Sequence, residues 1–310
     1  MAETYGQLPQ TYIVWGTEGT YGTAATTIAN WELWQNVNIE ESHNILPARG
    51  LGSRQVQKLV TGATDGKLTG ELLIQDMKML CVLGGFSDST SGTAGDTTHT
   101  ISISTSATLP SGTVEIGHDG TADTIYKATG LKINSWTIHA TTEDMAKVTL
   151  DCIYQDIDAT DTTAQSPSLK TTTPFAIAEL SVEIDDTPLV ECNNFSMTVN
   201  NNFAAVRGLG AATIQELKPG AFDVTFTCNA NMRDTAYQQY MAGNDEIKVA
   251  LKLTESATRS IVFTLANCRV GRWSESQDVG GGIVNCTIEG QSYVTSMAIV
   301  EHNQIATAYA

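Results

Sequence analysis

Apolar and polar residues alternate along most of this chain with a period of two. That is the signature of strands with one packed and one wet face. Residues 11–15 make a short first strand. In 36–44, Val37 and Ile39 fall on one side and Asn36, Asn38 and Glu40 on the other. In 66–74, Leu68, Leu72 and Ile74 oppose Lys67, Thr69 and Glu71. Further strands are predicted at 100–104, 113–117, 124–128, 131–139 and 147–155, with Asp119-Gly120 as a turn. A second set follows at 178–185, 189–200, 222–231, 246–253, 260–270 and 283–293, the last two joined by a tip at Gly280-Gly281-Gly282. Helical spacing occurs only briefly, at 75–83 before Gly84-Gly85 and at 233–241 before Gly243. The stretches 45–64 and 203–221 hold no sustained period and read as two long loops of a kind that is usually functional. Residues 87–100 are rich in Ser, Thr and Gly and read as an exposed loop, and 156–174 has the composition of a linker.

The chain repeats itself. Shifted by 158, residues 36–85 lie on 194–243 without a gap, with fourteen of the fifty positions identical. The identities include Arg49, Gly50, Leu51 and Gly52 with Arg207, Gly208, Leu209 and Gly210, and Asn44 with Asn202. A period of that size is a duplicated domain and not a solenoid. The expected organisation is a first domain over 1–160 with an insertion at about 87–128, a linker at 161–174 and a second domain over 175–310. Matching Cys152 to Cys286 gives a shift of 134, leaving 24 fewer residues between helix and final hairpin in the second copy.

Composition narrows the function. The chain of 310 residues carries 34 acids against 17 bases, a net charge of −17. Such a surface repels phosphate and argues against gripping nucleic acid. The six cysteines show no metal-binding spacing and read as buried free thiols. The first residues lack the basic and apolar regions of a signal peptide, and no run is long enough for a membrane helix. The five histidines have no catalytic partner motif, and the glycine-rich segments do not sit between a strand and a helix as a phosphate cradle must. Asp156, Asp158 and Asp161 miss the calcium-loop spacing. No enzyme, metal or cofactor is expected. Arg49 and Arg207 read either as solvated loop charges or as a recurring ion pair across a subunit contact.

The polar faces carry more information. In the first copy they hold Asn36, Asn38, Glu40, Lys67, Thr69, Glu71, Lys147, Thr149 and Asp151. In the second they hold Asn194, Ser196, Thr198, Asn200, Asp223, Thr225, Thr227, Asn229, Asn285, Thr287 and Glu289. These side chains are short and mostly uncharged, and they include five acids, two lysines and no arginine. An ordinary solvent-facing sheet carries more Lys and Arg. A wall that faces a polyanion without holding it has this composition, because each added base recruits a phosphate.

Taken in order, Thr17-Glu-Gly-Thr-Tyr-Gly-Thr-Ala24, the long segment around Ala48-Arg49-Gly50-Leu51-Gly52, the strand-helix-Gly-Gly step at 66–85 and the repeated Arg-Gly-Leu-Gly resemble the tail-tube proteins of long-tailed phages, of the type with a duplicated domain. The resemblance implies a mainly β fold: two tandem β-sandwich domains, each with a short helix, lending strands to a shared β-barrel channel. It implies trimeric, pseudo-hexameric rings stacked into a hollow tube in the virion tail, assembled in the host cytoplasm. The segments with Arg49–Gly52 and Arg207–Gly210 would reach the neighbouring ring, and the polar faces would line the lumen. The implied partners are other copies of the chain, the length-setting tape-measure protein, tail terminator and tip proteins, and viral DNA passing without specific binding, with no membrane. The inner tube of a contractile injection system shares this fold, and a two-domain surface binding module is the reading from a different class.

Overall fold

The computed structural model describes residues 11–49, 56, 58–93, 95–106, 108–118, 124–160, 170–231, 246–277, 284–292 and 297–309. The expected helix at 233–241, the turn at Asp119-Gly120, the glycine tip at 280–282, residues 50–52 and linker residues 161–169 lie outside them.

The molecule is mainly β, as its periodicity predicts. The first half runs β1 (Thr11–Thr17), β2 (Asn30–Trp31), β3 (Leu33–Ala48), β4 (Lys58–Leu73), α1 (Lys78–Leu83), β5 (Phe86–Thr93), β6 (Asp96–Ile103), β7 (Gly112–His118), β8 (Thr124–Thr141), β9 (Lys147–Tyr154) and β10 (Asp156–Asp158). The second runs β11 (Leu180–Ile184), β12 (Thr187–Pro188), β13 (Cys192–Asn200), β14 (Ala204–Val206), β15 (Glu216–Lys218), β16 (Asp223–Asn231), β17 (Ile247–Ser256), β18 (Arg259–Gln277), β19 (Val284–Ser292) and β20 (Met297–Asn303).

Eight strands form one antiparallel layer in the order β3-β4-β9-β8-β13-β16-β19-β18. Behind it lie two smaller sheets, β2-β1-β7-β8-β10 and β12-β11-β17-β18-β20-β6-β5. β8 and β18 serve both layers. Each changes register against its neighbour in the eight-stranded layer, at Ile133/Ser135 and at Val270/Arg272, and again against its neighbour in the smaller sheet, at Ala128/Leu131 and at Leu265/Cys268. A bulge bends a strand, which lets one strand turn the corner between layers. The core fills the space between: Trp15, Leu68, Trp136, Val148, Phe195, Met197, Phe226, Phe263 and Ile288 are each at most 2% exposed. Each such side chain contributes about 1.5–3 kcal/mol on burial. Helix α1 buries Met79 through Leu83, and the Gly84 N–H donates to the Leu80 carbonyl at its end. Gly85 follows at φ +84°, where a side chain would also strike Leu109.

Three expectations change. First, 45–48 and 58–64 of the aperiodic stretch are strand and not loop, because β3 and β4 continue as a two-stranded arm with Ile45 paired to Thr61 and Ala48 to Lys58. Ile45, Leu46, Leu59 and Val60 stand exposed on it. Alternation fails there because the arm buries neither face. Second, 87–100 is a hairpin of β5 and β6, and β6 buries Thr97, His99 and Ile101. It docks on β20 of the second half, from Thr97↔Asn303 to Ser102↔Ala298. The hairpin fills the first part of the stretch 87–128, and β7 and the start of β8 fill the rest of its described residues. Third, the end of the linker is anchored. Lys170 bridges Glu32 at 2.6 Å and Asp76 at 2.8 Å, and Phe175 is buried.

That bridge belongs to a buried polar network joining the halves. Glu301 on β20 accepts from the Met77 N–H at 3.2 Å, the Asn303 amide at 2.9 Å and the Tyr309 hydroxyl at 2.9 Å. Tyr309 stacks on His99 with ring centroids 4.3 Å apart, and His99 contacts Asp88 at 2.6 Å. Burial, with Asp76 nearby, pushes the carboxyls of Glu32 and Glu301 up to about 7. Burial opposes the charge on Lys170, but Glu32 and Asp76 outweigh it and raise its pKa.

Candidate functional site

The candidate site is the outer face of the eight-stranded layer. Register fixes which side chains share it, because directly paired residues point the same way. One row crosses all eight strands as Asn36, Glu71, Thr149, Thr137, Thr198, Thr225, Gln291 and Arg269. The next row, on the opposite face, reads Val37, Gly70, Leu150, Trp136, Val199, Val224, Ser292 and Cys268. All twenty residues assigned above to polar faces share the first face, none of them buried. The structure thus brings both halves' polar faces into one surface. Among the described residues it is open at both edges, and they close no barrel in a single copy.

The face is close to neutral in a strongly acidic chain, and its cations are already matched. Lys67 lies 3.1 Å from Asp151 one strand over, and Lys147 lies 3.2 Å from Glu71 and 2.5 Å from Asp144. The hydrogen bonds to Asp144 and Glu71 raise the Lys147 pKa. Exposed pairs of this kind add little stability. Their effect is to leave each ammonium already supplied with an anion.

Two bases on this face escaped the sequence reading. Arg269 and Arg272 both belong to it, with Arg272 3.2 Å from Glu289 and Arg269 3.5 Å from Glu246. The extra residue at the bulge places two residues three apart on one side, which strict alternation forbids. The bulge also hid a second repeat. Leu68 pairs with Cys152, and Phe226, its counterpart 158 later, pairs with Gly290, so β9 maps onto β19 with a shift of 138. The match of Cys152 to Cys286 is therefore wrong, and the second half is 20 residues shorter there. Leu150↔Trp136 and Ile288↔Trp273 then give β8 onto β18 a shift of 137, with bulge and tryptophan both in step. A Trp two residues after the bulge in each half was the available signal.

The two Arg-Gly-Leu-Gly segments are placed differently. Ala205↔Leu217 and Val206↔Glu216 repeat the register of Pro47↔Leu59 and Ala48↔Lys58, so β14–β15 is the same arm as the end of β3–β4. In the first arm the β3–β4 pairing continues on from the sheet past a register shift between His43 and Ile45. The second breaks from β13 at Asn202, which takes φ +48° and donates to the Ala221 carbonyl. It lies on the first half, where Arg207 donates to the Thr64 carbonyl at 2.7 Å and pairs with Asp65. Arg207 is thus neither a free charge nor, within one chain, a subunit contact. Arg49 is exposed on the first arm; Gly50, Leu51 and Gly52 lie outside the described residues, and Gly208, Leu209 and Gly210 are exposed.

No three metal-ligating side chains converge among the described residues. Among the described residues the fold offers a wide two-faced sheet with unpaired edges, the frame of a structural β protein. The sequence matches the phage tail tube protein family over residues 9–300, and the chain belongs to that family. It is thereby a structural protein of the virion tail. No curated protein matches the chain.

Proposed function

We propose that the chain is a tandem duplication, and that three copies close into a pseudo-hexameric ring whose stacked repeats form a hollow tube for viral DNA. The observation that carries this reading is the eight-stranded layer itself, in which the strands of one half continue those of the other across the β8–β13 pairing with a single polar face. Three such layers, joined the same way, give a wall of 24 strands with no free edge. At about 4.8 Å between strands, its circumference is at least about 115 Å, enough to pass a duplex with water around it.

The polar face would form the lumen, from Asn36, Asn38 and Glu40 on β3 round to Asn285, Thr287 and Glu289 on β19. Its pre-paired lysines and arginines offer a passing polyanion few counterion-releasing contacts, so DNA slides without specific binding. The arms at 45–64 and 203–221 would contact the next ring. The tape-measure protein and the terminator and tip proteins would be the other partners, with assembly in the host cytoplasm. Electron microscopy of the purified protein at high concentration tests the reading. Rings or tubes with threefold, near-sixfold symmetry and a central hole are expected. Compact monomers throughout would overturn it.

A further inference from the structure

The chain holds one finished seam between its halves and both edges of a second, unfinished one. The finished seam is β8 against β13, antiparallel from Asn194↔Thr141 to Asn200↔Ser135. Its counterparts under the shifts of 158 and 137 are the start of β3 and the end of β18. Among the described residues, 36–42 pair only with β4 and 272–277 only with β19. Packing marks these edges as incomplete. Trp136, Phe195 and Met197 are each 1% exposed at the finished seam. Their counterparts Trp273, Val37 and Ile39 are only half-buried. An unpaired strand edge beside a half-covered aromatic is what a missing neighbour leaves.

We infer that a second copy of this chain supplies the neighbour, its β3 adding to β18 in the register of the built-in seam. This rests on the ring reading above and assigns its contact residue by residue. Thr198↔Thr137 translates to Glu40 of one copy opposite Ser274 of the other, and Asn200↔Ser135 to Ser42 opposite Arg272. Charge favours the same occupant. Arg272 then sits diagonal to Glu40 on the polar face, whereas the built-in seam has two hydroxyls at the corresponding positions, Ser135 and Thr198. Opposite charges fix register and exclude wrong partners; a seam held by chain connectivity has no need of them. The same operation carries the Arg207–Asp65 contact to Arg49 of the incoming copy and Asp223, once the first arm bends at Asn44 as the second bends at Asn202.

Paired cysteines test the register. The full chain carrying Glu40→Cys with Ser274→Cys is assembled under reducing conditions, oxidised, and run on a non-reducing gel. Directly opposed residues have Cβ atoms about 4.5–5.5 Å apart, within reach of a disulfide after small adjustment. Covalent dimers and closed trimers are expected in at least tenfold excess over either single variant. Ser42→Cys with Arg272→Cys, in the same register, should behave alike. Asn38→Cys with Ser274→Cys, displaced by two residues, should link far less. If rings form but the displaced pair links best, or no pair links, the register is wrong and the ring reading survives. If the unmodified protein forms no rings, both fall.

Discussion

Glu301 shows what a single buried acid does here. It accepts three hydrogen bonds from groups on different segments, so it joins the Met77 turn to the C-terminal residues. Its carboxyl is raised from 4.5 to about 7 by burial and by Asp76. A carboxyl raised on folding holds its proton more tightly in the native state, so its stabilising contribution is complete below pH 4.5 and is lost as pH rises through 7. The sign is opposite to that of an ordinary surface ion pair. The unfolding free energy from urea titrations should therefore fall between pH 5 and pH 8, by up to about 3 kcal/mol for this group. Glu301→Gln should flatten that slope, leaving the share of Glu32; an unchanged slope would remove Glu301 from the account. Other identities in the repeat also acquire reasons at this scale. A side chain at Gly62 would strike the Asn44 carbonyl, and one at Gly220 the Asn202 carbonyl. Asn44 lies where β3 changes register against β4, and Asn202 where the second arm folds over. The identities were visible in the sequence. That they mark one hinge in two settings was not, because a hinge shows itself only in what the chain does on either side.

Among the elements, the arms and the β5–β6 hairpin do different work. The first arm exposes five large aliphatic side chains and contributes nothing to the core, so removing residues 47–62 should leave the fold and its melting temperature nearly unchanged. Rings of that deletion should fail to stack, as seen by sedimentation and microscopy. Tubes of ordinary length from it would show that the arm is not the contact between rings. The hairpin is the reverse case. Its composition reads as solvent-exposed loop, yet Thr97, His99 and Ile101 are buried by β20, nearly two hundred residues away in sequence. Ser and Thr satisfy both a loop and a strand, and only the partner decides between them.

For the whole molecule, the question is what the shared polar face meets. Neutral amides and hydroxyls with pre-paired charges should let a polyanion pass. Replacing Asn38, Thr69 and Thr225 together by Arg should slow genome release from assembled particles, more at low salt than at high. Release kinetics unchanged at every ionic strength would place these residues outside the channel. The proposed ring rests on closure. A sheet with two matched open edges either finds an end or continues into itself, and closure removes the edges altogether.

The sequence by itself determined the strands that bury one face, the first helix, the internal identities and most residues of the polar face. Each depends on local alternation or on letter-for-letter identity, and both survive without knowledge of partners. Only the tertiary structure decided the rest. It set the order in which the two halves share one layer and the bulges that bring Arg269 and Arg272 to one face. It also carried one arm on from the sheet and laid the other on Asp65, and it paired β6 with β20. These are long-range choices, set by which backbone edge meets which, and the edge of a strand presents the same N–H and C=O groups whatever its side chains.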